Sequence, residues 1–342
     1  MHHPGGMDFY AQGGAPSEAN SLFCRPHLGE IMIEISLLII AGLVLLTIGA
    51  ELLVRGSAKL ALHFKVPALV VGLTVVAFGT SAPELVVSIL SNARGMGDIA
   101  VGNVVGSNIF NIAVVLGMAA AIRPIKASLR ILRIDLPIVI GLSILVPVLV
   151  TDSVVSRTEG VALFCGIIGY TVLTIRYGRK EAEGFKASAE ESKAKGPLVL
   201  HIVFVLGGLG ALVAGSRIFI DGSVSLAERF QVSEAVIGLT IVAAGTSLPE
   251  LATSVAAAVR KQEDIAIGNI LGSNVFNILA ILGLSSAISP MRVQNISGFD
   301  LGAMIILTLF LIPLIRTGFR ISRLEGAMLL VFYGVYLYFL WP

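Results

Sequence analysis

Glu84 and Glu250 stand 166 residues apart, and that one offset superposes most of the first half of this 342-residue chain on the second. G-T-S-A-P-E at residues 79–84 falls on G-T-S-L-P-E at residues 245–250, and G-N-V-V-G-S-N-I-F-N-I from Gly102 falls on G-N-I-L-G-S-N-V-F-N-I from Gly268. Gly56 and Ser57 match Gly222 and Ser223, and V-G-L-T from Val71 matches I-G-L-T from Ile237. Pro124, Pro147 and S-R-x-E-G from Ser156 match Pro290, Pro313 and S-R-x-E-G from Ser322. Agreement over this length, with no gap in the core motifs, marks two copies of one structural unit.

Each copy has the composition of a membrane segment. Hydrophobic residues make up 56% of the chain and charged residues only 13%, about half the charged share of soluble domains. Apolar segments of the length that spans hydrocarbon as helix, roughly 17 to 25 residues, run over 34–62, 67–93, 99–121, 134–151 and 159–177. They recur over 198–228, 233–259, 265–287, 300–316 and 324–341. Five is odd, so the second copy enters the membrane from the opposite side. The expected fold is an all-α membrane protein, ten transmembrane helices forming two inverted five-helix repeats, an architecture of many secondary transporters.

The divisions of the chain follow. Residues 1–30 are polar, rich in Gly and Pro, and lack the basic-then-apolar order of a signal peptide; they read as a disordered N-terminal tail, with Met32 as an alternative start. Residues 31–177 form the first repeat, 178–196 a linker of mixed charge that reads as a solvated tether, and 197–342 the second repeat. With the N-terminus outside, 18 Lys and Arg residues fall on the inner side and 6 on the outer. The positive-inside rule then places both termini outside and the linker in the cytoplasm, for a multi-pass protein of the cell (inner) membrane surrounded by lipid bilayer. The net charge of +2 points to no nucleic acid, and no obligate protein partner is indicated. Cys24 and Cys165 supply neither a disulfide framework nor a thiolate metal site.

Against this apolar background the repeated motifs stand out. Pro83 has no N–H to give the carbonyl of Gly79, and its ring crowds that carbonyl, so the second span should kink or break there; Pro249 does the same to Gly245. Backbone oxygens freed at membrane depth are tolerated only where they face protein, water or an ion. On a helix Thr80, Glu84 and Ser88 share a face, as do Thr246, Glu250 and Ser254. Asn103, Ser107 and Asn111 form a third stripe, and Asn269, Ser273 and Asn277 a fourth.

An ionised carboxylate near the bilayer centre costs about 3 kcal/mol even on the permissive insertion scale. No Lys, Arg or His lies on these stripes to offset it, which leaves a bound cation or protons as the counter-charge. Carboxylate, hydroxyl, amide and carbonyl oxygens suit hard cations such as Ca2+ or Na+, and the His or Cys that zinc or copper favours is missing. Gly102 with Gly106, and Gly268 with Gly272, read as close-packing motifs. The Asn and Ser residues read equally as interhelical glue. A mid-span glutamate beside a proline break, present in both halves, is the functional signal.

At these residues the chain resembles the calcium/cation antiporter superfamily, specifically its sodium/calcium exchanger family. The likeness rests on the two pairs of motifs, G-T-S-A-P-E with G-N-V-V-G-S-N-I-F-N and G-T-S-L-P-E with G-N-I-L-G-S-N-V-F-N, and the span layout extends it over essentially the whole chain after the tail. The resemblance implies a secondary active antiporter, not an enzyme, that exchanges Na+ for Ca2+ by alternating access, without a cofactor beyond the transported ions at the membrane centre. By motif position it implies Glu84 and Glu250 as the main calcium carboxylates. Thr80, Ser81, Ser107, Thr246, Ser247 and Ser273 are implied as further oxygens for sodium, with backbone carbonyls near Ala77 and Ala243, and with Asn111 and Asn277 completing the polar centre.

Several relatives, potassium-dependent exchangers among them, carry Asp where this chain has Asn277, so potassium is not expected to be required. The proton-coupled branch usually reads G-N-x-x-E in place of G-T-S-x-P-E. The short linker implies no calcium-sensing insert of the kind animal homologues carry between the halves. A proton/calcium or potassium-dependent cation antiporter is the alternative. A cation channel is a weaker one, because channels usually offer a continuous pore instead of paired broken helices, and an intramembrane hydrolase would need a His pair or positioned nucleophile. In the exchange reading, an empty site with two unneutralised carboxylates in low dielectric opposes leak. The long first and sixth spans, which lack the polar stripes, are the candidates for a moving pair against a fixed bundle.

Overall fold

The computed structural model describes residues 28–185, 197–230 and 243–340. The first stretch folds into α1 (Leu28–Phe64), α2 (Ala68–Thr80), α3 (Ala82–Ala93), α4 (Gly97–Ile122), α5 (Ile131–Leu149) and α6 (Arg157–Phe185). The others fold into α7 (Leu198–Arg229), α8 (Ala243–Thr246), α9 (Leu248–Val259), α10 (Glu263–Ile288), α11 (Gly298–Arg316) and α12 (Arg323–Leu340). Among the described residues eight helices are long and apolar enough to cross a membrane, and α2 with α3 forms a further span bent by 47°. The fold is therefore all-α and multi-span. The shorter α9 continues a segment whose upstream part, 233–242, lies outside the described residues, as do the I-G-L-T copy, the tail up to residue 27, and the linker from residue 186. The last turns of α6 carry the helix to Phe185, into the segment 178–196.

The bend falls at the expected proline. Pro83 and Pro249 both sit in the first turn of a helix, α3 and α9, where a missing N–H leaves no ladder bond unmade. Each is preceded by a turn residue in the same sparsely populated conformation, Ser81 at φ −81° and ψ 9° and Ser247 at φ −89° and ψ 8°. The two breaks are thus one backbone event made twice. Within α4 and α10 the helix widens to π geometry over Asn111–Leu116 and Asn277–Leu282, each starting on the last Asn of the motif.

Helices α4 and α10 are the most deeply enclosed spans. The close approach expected at Gly268 is made against α2, where a Cβ would lie 2.9 Å from the Leu69 carbonyl oxygen. At Gly102 a Cβ would come no nearer than 3.9 Å, to Ile296 Cδ1, and at Gly106 it would meet nothing within 4 Å, so among the described residues the close approach expected there is not made. At the periphery α1 and α7 run antiparallel in close contact: a Cβ on Gly49 would sit 2.8 Å from the Gly208 carbonyl oxygen, and one on Gly208 would sit 2.8 Å from that of Gly49.

Two short antiparallel ribbons tie the loops together. Strand β1 (Ile125–Lys126) pairs with β4 (Arg320–Ile321), and β2 (Val154–Val155) with β3 (Met291–Arg292). By the 166-residue offset β1 is equivalent to β3 and β2 to β4. Each ribbon therefore joins non-equivalent loops of the two copies, as interlocking about a two-fold axis requires.

Candidate ion-binding site

The four polar stripes meet where the two broken spans cross α4 and α10. Each break hands a hydroxyl to the other repeat: Ser81 Oγ donates to Glu250 Oε1 at 2.7 Å, and Ser247 Oγ donates to Glu84 Oε1 at 2.9 Å. Ser107 Oγ lies 3.3 Å from Ser247 Oγ, and Ser273 Oγ lies 3.4 Å from Glu250 Oε1. Thr80 Oγ1 reaches the Ala77 carbonyl at 3.4 Å and Asn269 Oδ1 at 3.1 Å. Glu84 and Glu250 are each only 1% exposed, so both carboxyl groups are cut off from bulk solvent.

Asn103 and Asn269, which share stripes with the serines, act as braces. Asn103 Nδ2 donates to the Glu84 carbonyl at 3.2 Å and to Ser88 Oγ at 2.9 Å; Asn269 Nδ2 donates to the Glu250 carbonyl at 3.4 Å and to Ser254 Oγ at 3.0 Å. These bonds pin the glutamate-bearing helices to α4 and α10 one turn below the carboxylates.

At this centre the buried side-chain atoms left without a partner are four oxygens and one amide nitrogen, Asn274 Nδ2. Glu84 Oε2, Glu250 Oε2, Asn111 Oδ1 and Asn277 Oδ1 are buried oxygens without a hydrogen-bond partner. A buried carboxylate oxygen left without donor or counter-charge is costly. All four oxygens, two from each repeat, are of the kind that hard cations take as ligands.

Thr80, Ser81, Glu84, Ser107, Asn111, Ser247, Glu250, Ser273 and Asn277 are all buried, and so are Ala77 and Thr246. Ala243 opens α8, two residues before Gly245. Two features escaped the sequence reading. Asn108 and Asn274, the second Asn of each motif, cross-link the repeats: Asn111 Nδ2 donates to Asn274 Oδ1 at 3.2 Å, and Asn277 Nδ2 to Asn108 Oδ1 at 3.0 Å. Their place in the repeated G-S-N was the available signal. Ser216 Oγ donates to the Gly245 carbonyl at 2.7 Å, capping the oxygen that Pro249 frees. Its first-repeat equivalent is Ala50, so no repeated motif pointed to it.

A family model described as sodium/calcium exchanger protein matches the chain twice, over residues 35–176 and 200–341. The sodium/calcium exchanger MaX1 of Methanosarcina acetivorans is 32% identical over 339 residues, covering 88% of this chain and 97% of that protein. The inner membrane protein YrbG of Escherichia coli is 35% identical over 271 residues, covering 78% and 83% respectively. Among solved structures, the sodium-calcium exchanger NCX_Mj soaked with Na+ and Ca2+ superposes with a TM-score of 0.77 at 32% identity, over 89% of this chain and 98% of that one.

Proposed function

This chain belongs to the sodium/calcium exchanger protein family, and on that premise we propose how its two halves build one exchange site. It is a secondary active antiporter that exchanges Na+ for Ca2+ across the membrane by alternating access. Glu84 and Glu250 hold the calcium ion between them, with Ser81, Ser107, Ser247 and Ser273 beside the carboxylates. Thr80, Thr246 and the backbone carbonyls of Ala77 and Ala243 supply sodium ligands along the broken spans, and Asn111 and Asn277 close the ring. The observation that carries this assignment is the set of four buried, unpartnered oxygens, contributed symmetrically by the two repeats.

The exchange follows from charge. Two glutamates carry two negative charges, which one Ca2+ or an equivalent number of Na+ ions neutralises; both cannot occupy the same carboxylate oxygens, so one must leave before the other binds. Only a neutralised centre crosses the occluded, low-dielectric state cheaply. Each serine hydroxyl keeps acceptor lone pairs free while it donates to a glutamate, so it can serve an ion without releasing its partner.

The chain is organised as ten spans in two inverted repeats, 31–177 and 197–342, with both termini outside and the 178–196 linker in the cytoplasm. The ribbon pairing supports this count, because five spans per repeat bring β1 and β4 to one side of the membrane and β2 and β3 to the other. Helices α1 and α7 move together against the bundle that holds the glutamates.

The test is radioactive calcium uptake into proteoliposomes driven by an outward sodium gradient, repeated with added potassium and with a pH gradient in place of sodium. Uptake that requires sodium and ignores potassium is the expected result. Uptake that follows pH and ignores sodium would overturn the assignment of the coupling ion, and uptake without any counter-ion would point to a channel.

A further inference from the structure

Glu51, two-thirds of the way along α1, forms ion pairs with Arg260 at the end of α9 and, at 2.5 Å, with Arg55 one turn on. Arg260 also donates through Nε to the same carboxylate. The turn that carries it is held by Lys261 in the left-handed region, at φ 62°. None of these residues belongs to the ion site. They join the proposed moving helix to the proposed fixed bundle, and on this side α1 packs along α9.

The repeat makes the other side a direct comparison. The equivalent of Glu51 is Arg217 on α7, and the equivalent of Arg260 is Arg94 at the end of α3. Two guanidinium groups stand where the first side has an acid and a base. Here α7 does not pack along α3. A cleft of about 620 Å³ lies between α7 and the break that joins α2 to α3, lined by Phe78 and Gly79 of α2 and Ala82 of α3 on one wall and by Val213, Ala214 and Arg217 on the other.

We propose that Glu51 and Arg260 form a one-sided latch that holds the α1–α9 seam shut, and that Arg217 and Arg94, which would meet if the α7–α3 seam closed in the same way, deny it that closure. The inference rests on the alternating-access reading above. In the mirror state α7 closes on α3 and α1 leaves α9, so the latch is lost and two like charges approach. The charge pattern thus biases the exchanger toward the state seen here, open beside α7. The transported ions see nearly the same ligands from both sides, but the two states do not weigh the same. A partly exposed ion pair of this kind shifts a two-state ratio by about two- to fivefold.

The test is a distance measurement between spin labels at Phe64→Cys and Lys261→Cys, with Cys24 and Cys165 replaced by Ser, in the full-length reconstituted protein. Glu51→Gln should raise the fraction of the longer distance about two- to fivefold, and Glu51→Gln with Arg260→Gln should do no more than Glu51→Gln alone. Arg217→Glu, which builds the missing partner for Arg94, should raise the same fraction from the opposite side. An unchanged distribution in Glu51→Gln overturns the latch, as does an additive effect in the double variant. A shift by Arg217→Glu toward the shorter distance, or none, overturns the mirror-image part. The distances report the seam whichever ion is carried, so sodium-driven calcium uptake by the wild-type protein tests the transport reading separately.

Discussion

Around Glu84 and Glu250 the two repeats share two pairs of matching bonds. A serine hydroxyl crosses from each break to the glutamate of the other, at 2.7 and 2.9 Å, and Asn103 and Asn269 brace the two glutamate carbonyls at 3.2 and 3.4 Å. Further out the likeness ends. Ser216 caps the freed Gly245 carbonyl where the first repeat has Ala50, and Glu51 corresponds to Arg217. The contrast separates two jobs. In the proposed function an ion reaching the centre from either side meets equivalent charge and oxygen ligands, which would hold the inner residues to two-fold symmetry. The relative stability of the two end states is set by contacts that form in only one of them, and those residues are free to differ.

The largest test of the symmetric centre is to neutralise one carboxylate at a time. Glu84→Gln and Glu250→Gln should each lower sodium-driven calcium uptake by about 100-fold or more, since loss of one member of a buried charged assembly costs several kcal/mol and each 1.4 kcal/mol is tenfold. Equal losses support equivalent halves; a variant that keeps half of the uptake would break the comparison at its core.

A smaller effect is expected at the breaks. Pro83→Ala and Pro249→Ala each restore an N–H and remove the ring that crowds the carbonyl four residues back, so the span can straighten and withdraw its serine from the opposite glutamate. Uptake should fall about tenfold in each, corresponding to about 1.4 kcal/mol. Wild-type rates in either variant would show that the bend is held by packing and not by proline.

Smaller again, Asn111→Ala and Asn277→Ala each remove one unpartnered amide oxygen and one cross-repeat hydrogen bond. The calcium concentration for half-maximal uptake should rise about three- to tenfold, the range expected from one or two lost hydrogen bonds. A change in one variant only would locate the ion nearer one half.

The least effect should come from the asymmetric cap. Ser216→Ala leaves the Gly245 carbonyl without its donor and should lower stability by about 1 kcal/mol, read as an earlier midpoint in thermal unfolding in detergent. Ala50→Ser, the reciprocal change, tests whether the Gly79 carbonyl accepts the same cap. If it raises the midpoint, the two breaks share a need that only one repeat meets; a lower midpoint would show that the Ala50 site has no room for a hydroxyl.

Much of this was legible in the chain because it is local or repeated. The 166-residue offset identified two copies, Pro83 and Pro249 located the breaks, and four-residue spacing grouped Thr80 with Glu84 and Ser107 with Asn111. These signals survive in one dimension, since helical periodicity and proline chemistry act within a few residues. The membrane setting adds the rest: two carboxylates in an apolar span demand a counter-charge wherever they end up.

Tertiary structure alone decided which groups meet. Spacing put Ser81 near Glu84 along the chain, yet its hydroxyl serves Glu250, and Asn108 finds Asn277 in the other half. A helix face can be read from sequence, but the direction in which it looks depends on how two antiparallel repeats interlock. The same holds for the rims. That Glu51 answers Arg260 across the α1–α9 seam, while Arg217 borders an open cleft, follows from which side of the two-fold arrangement is closed, a choice between two packings that the shared sequence pattern of the repeats leaves open.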